Sequence, residues 1–200
     1  MTKSEIAVLR FGAGPVPRGL TDLAVTRIAE PAAVDEAVRG MRRAVVVGDD
    51  ADLATVLSRL LRTGMLDVEV ARVRGWRGVR RARTAPARRV PLIRDDTGTA
   101  LVGAASWLPP AGSEVILGEA VVDDAVLFDG EVAGVRIEPT ATLPGVRASV
   151  LSGRRRRWLP GRAVQLGTTG ARLVRDGVPA PREVRRSTFY RHTTGWLRVG

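Results

Sequence analysis

The chain has 200 residues, and 44% of them are hydrophobic, which is enough apolar material for a packed core and excludes an intrinsically disordered composition. It contains no cysteine, so disulfide bonds, thiolate nucleophiles and zinc–thiolate sites are excluded. No apolar run approaches the ~18 residues of a membrane-spanning helix, and the first ten residues lack the apolar centre of a signal peptide. We therefore expect a cytoplasmic protein, peripheral to a membrane if it binds one.

The net charge of +11 has two interpretations. Of the 32 basic residues, Lys3 is the only lysine, which is typical of a coding bias towards arginine and favours a solvated surface without further meaning. The clustering favours a role in binding, because nine arginines and no acid lie between Glu69 and Asp95. A field of one sign attracts phosphates, lipid headgroups or nucleic acid.

The first half alternates between predicted strands and helices. Residues 44–47 form a continuous apolar run, typical of a strand that is buried on both faces of a parallel sheet. Residues 52–62 place leucine and valine at spacings of three and four, which predicts an amphipathic helix. Further strands are predicted at residues 6–11, 24–28 and 66–73, and a further helix at residues 31–39. This order predicts a small open parallel sheet with right-handed crossovers.

The pattern changes after an arginine-rich stretch. Residues 74–89 lack apolar periodicity and contain Gly75, Gly78 and Pro86, so we predict a loop. The rest of the chain consists of short, often alternating apolar runs at hairpin-like intervals, which predicts a β-sandwich-like unit. Predicted strands there lie at residues 90–93, 100–105, 114–117, 120–122, 132–137, 146–151, 163–166, 171–175 and 196–199. The fold class is α+β overall, with an α/β domain at residues 1–88 and an all-β domain at residues 89–200.

The junction between the buried strand and the helix is the most informative local feature. It reads Gly48-Asp49-Asp50-Ala51-Asp52. Ligands bind at the carboxyl ends of strands in open α/β sheets, and a helix N-terminus offers free N–H groups to an anion. Three aspartates would repel a bare phosphate unless a divalent cation stood between them. The loop is therefore either a capped turn or a metal-assisted phosphate site.

This strand, loop and helix resemble those of the diacylglycerol-kinase-like and sphingosine-kinase-like lipid kinases, whose loop is Gly-Gly-Asp-Gly-Thr. Gly48 and Asp50 match that loop, whereas Asp49, Ala51 and Asp52 replace its second glycine, third glycine and threonine. The resemblance implies a nucleotide-binding site at these five residues, with Mg²⁺ and ATP as cofactors. The replacements would crowd the approach of the backbone to phosphates, so catalysis is doubtful and no catalytic residue is assigned.

A second similarity to the same family lies near the C-terminus. Leu173-Val174-Arg175-Asp176-Gly177-Val178 resembles the closing strands of the lipid-kinase β-sandwich, where a strand leads into Asp-Gly-Glu. Asp176 and Gly177 match, and Val178 replaces the glutamate. Asp-Gly is also a favoured hairpin turn that carries no chemistry.

A second acidic group consists of Asp123, Asp124 and Asp129. Oxygen ligands this close in sequence could hold Mg²⁺ or Ca²⁺, although their spacing lacks the series of a calcium loop. A strand end followed by a hairpin turn explains them equally well.

Consecutive arginines, Arg154, Arg155, Arg156 and Arg157, precede Trp158 and form a candidate anion-binding site. Such a run can lie on the headgroups of an anionic membrane, each arginine contributing roughly 1 kcal/mol near the surface. A solvated turn is the alternative. His192, the only histidine, is not accompanied by the motif of a nucleophilic serine, which favours a packed histidine.

Three functional hypotheses remain. The first is a diverged lipid-kinase-like protein, weakly active or inactive, that binds Mg-ATP and an anionic lipid. The second is a non-catalytic basic module for an anionic membrane or an acidic partner. The third, a nucleic-acid-binding protein, lacks any recognised module in this sequence.

Overall fold

The computed structural model describes residues 5–74, 76, 78–151 and 156–200. The chain divides into two compact units. Unit 1 comprises Met1–Val90 and Thr194–Gly200, and unit 2 comprises Pro91–Thr193. The boundary predicted at residue 88 assigned the last seven residues to the second domain, whereas the structure includes them in unit 1.

The elements are numbered along the chain. The helices are α1 (Ala33–Ala37), α2 (Asp50–Arg62) and α3 (Val79–Thr84), with a 3-10 helix at Arg18–Leu20. The strands that precede unit 2 are β1 (Ile6–Arg10), β2 (Ala24–Arg27), β3 (Arg43–Val47), β4 (Glu69–Val73) and β5 (Ala87–Val90). Those of unit 2 are β6 (Ile93–Asp95), β7 (Ala100–Leu101), β8 (Ala105–Leu108), β9 (Ile116–Val122), β10 (Ala125–Val132), β11 (Val135–Pro139), β12 (Val146–Val150), β13 (Leu159–Gly161), β14 (Ala163–Arg175), β15 (Val178–Pro179) and β16 (Val184–Arg191). The last strand is β17 (Trp196–Val199).

Unit 1 is built on a six-stranded sheet in the order β2-β1-β3-β4-β17-β5. The first five strands in this order are parallel, and β5 is antiparallel to β17. Ala44, Val45 and Val46 of β3 are fully buried, as the continuous apolar run predicts. In α2, Leu53, Val56, Leu57 and Leu60 are buried, which confirms the helical spacing. Burial of each such side chain stabilises the unit by about 1.5–3 kcal/mol.

Residues 74–89 are not the loop that the sequence predicts, because they include α3 and β5. β5 forms by pairing with β17, and α3 is held by a buried arginine far away in sequence. Arg43 is 3% exposed, and its Nη1 and Nη2 donate to the carbonyl oxygens of Ala82 at 2.9 Å and Ala85 at 2.8 Å. Its Nε donates to Glu69 at 2.6 Å. These bonds fix the end of α3 against the sheet, where Ala82 is the helix's one buried residue.

Unit 2 is an antiparallel β structure, which confirms the expected α+β class. Its central path runs β13-β12-β11-β8-β14-β16-β6-β7. The 13-residue strand β14 pairs with β9 and β16 through its first part and with β8 and β15 through its last part. Trp107 and Phe189 are fully buried in its core, and the Trp107 indole donates to Ser187 Oγ at 3.0 Å.

None of the helices that the structure describes is both long enough and apolar enough to cross a membrane.

Candidate functional site

The loop after β3 is closed by hydrogen bonds between two of its own aspartates. Asp49 is the N-cap of α2, and its Oδ1 accepts a hydrogen bond of 3.0 Å from the backbone N–H of Asp52. In return, Oδ2 of Asp52 accepts one of 2.9 Å from the backbone N–H of Asp49. This reciprocal arrangement is a capping box. Two backbone donors of the loop are therefore already satisfied by carboxylates.

Gly48 lies directly against the Asp52 side chain. A Cβ atom at position 48 would lie 2.2 Å from Oδ2 of Asp52, so a larger residue fits only if that carboxylate moves. Burial raises the pKa of Asp52, and the charge of the Asp49 carboxylate raises it further. Glycine at position 48 thus makes room for a carboxylate of the chain itself.

Asp50 is held by two arginines from the end of β4. Arg74 Nη2 lies 3.0 Å from Oδ2 of Asp50, and Arg72 Nη1 pairs with its Oδ1. These ion pairs connect the start of α2 to the neighbouring strand of the sheet. All three aspartates of the loop are consequently engaged, either with each other or with arginine.

The residues at this loop do not fit a bound magnesium nucleotide. Mg²⁺ bound with phosphates uses one or two carboxylates of the protein, and here each carboxylate already has a partner. Across residues 5–74, 76, 78–151 and 156–200, no group of three or more His, Cys, Asp or Glu side chains is placed to hold a metal ion. A bare phosphate would face three carboxylates at the helix start, which oppose the attraction of the helix dipole.

The carboxyl edge of the parallel strands carries arginines that the sequence analysis did not single out. Arg10 and Arg27 are the last residues of β1 and β2, and they lie side by side in the parallel register. Nε of Arg10 is buried and has no hydrogen-bond partner among the described residues. The sequence could have identified Arg10 and Arg27 as candidates, because both lie near the ends of predicted strands.

The three aspartates of the predicted second site do not come together. Asp123 and Asp124 form the two-residue turn between β9 and β10, and the Asp123 carboxylate accepts hydrogen bonds of 2.9 Å from the backbone N–H groups of Arg162 and Ala163. Asp129 lies four residues beyond Ala125 along β10, about 13 Å at the rise of a β-strand. The hairpin interpretation accounts for this group, and the metal site predicted there is not formed.

The predicted basic run is described only in part. Arg154 and Arg155 lie outside the described residues, whereas Arg156 and Arg157 are exposed. Arg157 also borders a cavity of about 290 Å³ in unit 2. The remaining lining residues are Ala125, Val126, Leu127, Ser149, Val150 and Leu159.

Asp176 is engaged in hydrogen bonds to the backbone, and His192 is partly buried. Asp176 and Gly177 both have positive φ and form the tight turn between β14 and β15. The Asp176 carboxylate accepts hydrogen bonds from the backbone N–H groups of residues 102–104 at 2.6–3.1 Å, which anchors that segment. Burial lowers the pKa of His192, and the positive charge of Arg94 lowers it further.

Comparisons with known proteins show the fold of this chain. No protein-family model matches it, and no curated protein sequence matches it. A diacylglycerol kinase from Bacillus anthracis is similar in structure, with a TM-score of 0.68 at 12% identity over 100% of this chain and 98% of the other. An NAD kinase from Archaeoglobus fulgidus, solved in complex with ATP, gives a TM-score of 0.67 at 12% identity over 98% and 93% of the two chains.

A yeast NADH kinase complexed with NADH is also similar, with a TM-score of 0.59 at 9% identity over 100% of this chain and 84% of that one. The resemblance to diacylglycerol-kinase-like proteins is thereby confirmed at the level of the fold, which NAD kinases share.

Proposed function

We propose that this chain is a kinase-fold protein that does not transfer phosphate and instead serves as a binding protein for an anionic ligand. One observation carries the proposal: the capping box between Asp49 and Asp52 closes the loop at the position of the lipid-kinase phosphate loop. The competing hypothesis is a nucleotide-binding remnant that holds Mg²⁺ and ATP at Gly48 to Asp52, and similarity to an NAD kinase in complex with ATP is its support.

The energetics favour the closed loop. Phosphoryl transfer depends on positioning and on electrostatic stabilisation of the transferred group, which backbone N–H groups, cations and bound metal supply. Here a phosphate would have to displace a capping interaction of about 1 kcal/mol and lie beside carboxylates. The Asp50 carboxylate would also have to leave Arg72 and Arg74 before it could reach a metal ion.

The charge distribution supports an anionic ligand. The residue ranges of unit 1 contain 18 arginine and lysine residues and 10 acidic residues. Exposed arginines with no acidic partner attract anions from solution, and this attraction weakens as salt is added.

Calorimetric titration with Mg-ATP tests the closed loop. We expect no binding heat from the wild-type chain at millimolar nucleotide. The combined variant D49G/A51G/D52T restores the loop Gly-Gly-Asp-Gly-Thr, removes both halves of the capping box and should bind Mg-ATP detectably.

A charge-matched control, D96N/D124N, removes two exposed acids elsewhere and should remain as inert as the wild type. Saturable Mg-ATP binding by the wild-type chain would reject the proposal. Absence of binding by the restored variant, with its circular dichroism spectrum unchanged, would show that the loop is not the only obstacle to nucleotide.

A further inference from the structure

Two exposed arginines lie directly opposite each other in unit 1. Arg88 of β5 and Arg198 of β17 are register partners in the antiparallel pair that these strands form. Both side chains are exposed, and neither forms an ion pair or a hydrogen bond with another described residue. Side chains directly opposite each other in an antiparallel pair have Cβ atoms about 5 Å apart. The two positive charges therefore face each other without a compensating acid.

This pairing is unfavourable unless something negative lies between the two side chains, because like charges directly opposite in a sheet are destabilising. Other arginines nearby are compensated. Arg89, the next residue of β5, donates to Asp67 and to the Gly195 carbonyl oxygen. Arg74, also exposed, pairs with Asp50.

Protection of a sheet edge does not explain the pair. A charged residue on an edge strand prevents unwanted strand pairing, and β5 is such a strand. Arg198, however, lies on β17, which has β4 on one side and β5 on the other. An arginine on an interior strand has no edge to protect.

The pair lies apart from the loop that follows β3. β17 runs parallel to β4, and Arg198 is level with the second residue of β4 and of β3, whereas the loop follows the last residue of β3. Arg198 is the register partner of Val70, and side chains two residues apart on a strand share a face. Arg72, which pairs with Asp50, is therefore on the same face of the sheet as Arg198.

We propose that Arg88 and Arg198 form a clamp for a phosphate group, supplied either by a free phosphate compound or by the headgroup of a phospholipid. Each guanidinium presents parallel N–H donors that match two oxygens of a phosphate, and two opposed guanidiniums contact it from both sides. Trp196 precedes Arg198 by two residues and lies on the same face, beside the clamp. This inference rests on the proposed anion-binding function and names the residues that carry it.

Titration with inorganic phosphate at constant ionic strength tests the clamp, with the indole N–H signals of the tryptophans followed by NMR. The Trp196 signal should shift and saturate, whereas that of buried Trp107, bonded to Ser187, should not move. R88Q or R198Q should each weaken phosphate binding about tenfold, the loss expected for a charge-assisted hydrogen bond, and R88Q/R198Q should abolish it.

The matched control is R186Q, which removes an exposed strand arginine opposite Gly167 in unit 2 and should bind phosphate as the wild type does. An equal loss in R186Q would overturn the inference, since it would show a general charge effect. So would a Trp196 shift of the same size when chloride replaces phosphate.

Vesicle co-sedimentation distinguishes the two sources of phosphate. If the ligand is a headgroup, the wild-type chain binds vesicles that contain phosphatidylglycerol but not pure phosphatidylcholine vesicles, and R88Q/R198Q loses this binding. If it is a free compound, phosphate binds and neither vesicle does. Equal binding of anionic vesicles by wild type and R88Q/R198Q would reject the clamp and leave the proposed function intact. Binding of neither phosphate nor anionic vesicles by the wild-type chain would reject both.

Discussion

The side chain of Asp52 has two roles at the start of α2. It accepts a hydrogen bond from the backbone of Asp49 and fills the space beside Gly48. The aspartates at this helix start predict capping from the sequence alone, because short acidic side chains are preferred N-caps. The sequence does not show that two of them cap each other, since the usual reciprocal pair is Ser or Thr with Glu. Which two residues form the capping box depends on where their side chains lie in the folded loop.

Removal of the Asp49 side chain should destabilise unit 1. In D49A the backbone N–H of Asp52 loses its acceptor, and we expect the free energy of unfolding to fall by about 1 kcal/mol. Urea denaturation followed by circular dichroism measures the change.

The matched control is E30A, at an acidic residue whose side chain is exposed and forms no ion pair with another described residue. It should leave the unfolding midpoint unchanged. Equal midpoints for D49A and the wild type would show that the capping box contributes nothing to stability.

The elements of unit 1 differ in how far the sequence predicts them. β3 and α2 follow from an apolar run and a leucine stripe, which are local patterns. α3 does not, because it is six residues long, buries only Ala82 and depends on hydrogen bonds from Arg43. β17 was predicted as a strand but assigned to the wrong sheet, because its partner strands β4 and β5 are more than 100 residues away in sequence.

Deletion of residues 194–200 should unfold unit 1 selectively. The truncation removes β17 from between β4 and β5, leaves the β5 backbone without a partner strand and removes buried Val199 from the core. Limited proteolysis with mass spectrometry should show cleavage throughout residues 5–90, while a fragment that spans residues 91–193 persists.

Two findings would count against this account of β17. Protease resistance of residues 5–90 in the truncated chain, equal to that in the full chain, would show that β17 is dispensable. Loss of resistance in R198Q, which keeps the β17 backbone, would show that the side chain of Arg198 and not the strand stabilises unit 1.

At the scale of the whole chain, similarity of fold is combined with a different loop sequence. The arrangement of elements is similar enough to give TM-scores of 0.67 and 0.68 with kinases at 12% identity. Fold class was predictable because it depends on apolar periodicity over the whole chain. The candidate site was less predictable, because β3 and α2 form on either side of Asp49, Ala51 and Asp52 whatever the loop binds, so the pattern of elements does not report on its ligand. Similarity of fold therefore does not transfer an activity.

The most direct test of the closed loop follows the two backbone amides that donate hydrogen bonds in its capping box. The ¹⁵N-resolved amide signals of Asp49 and Asp52 report on the two hydrogen bonds of the capping box. During titration with Mg-ATP to millimolar concentration, we predict that both signals stay at their free-state positions and keep their protection from hydrogen exchange. Saturable shifts of these two amides, with loss of that protection, would show that nucleotide opens the loop and would contradict the account.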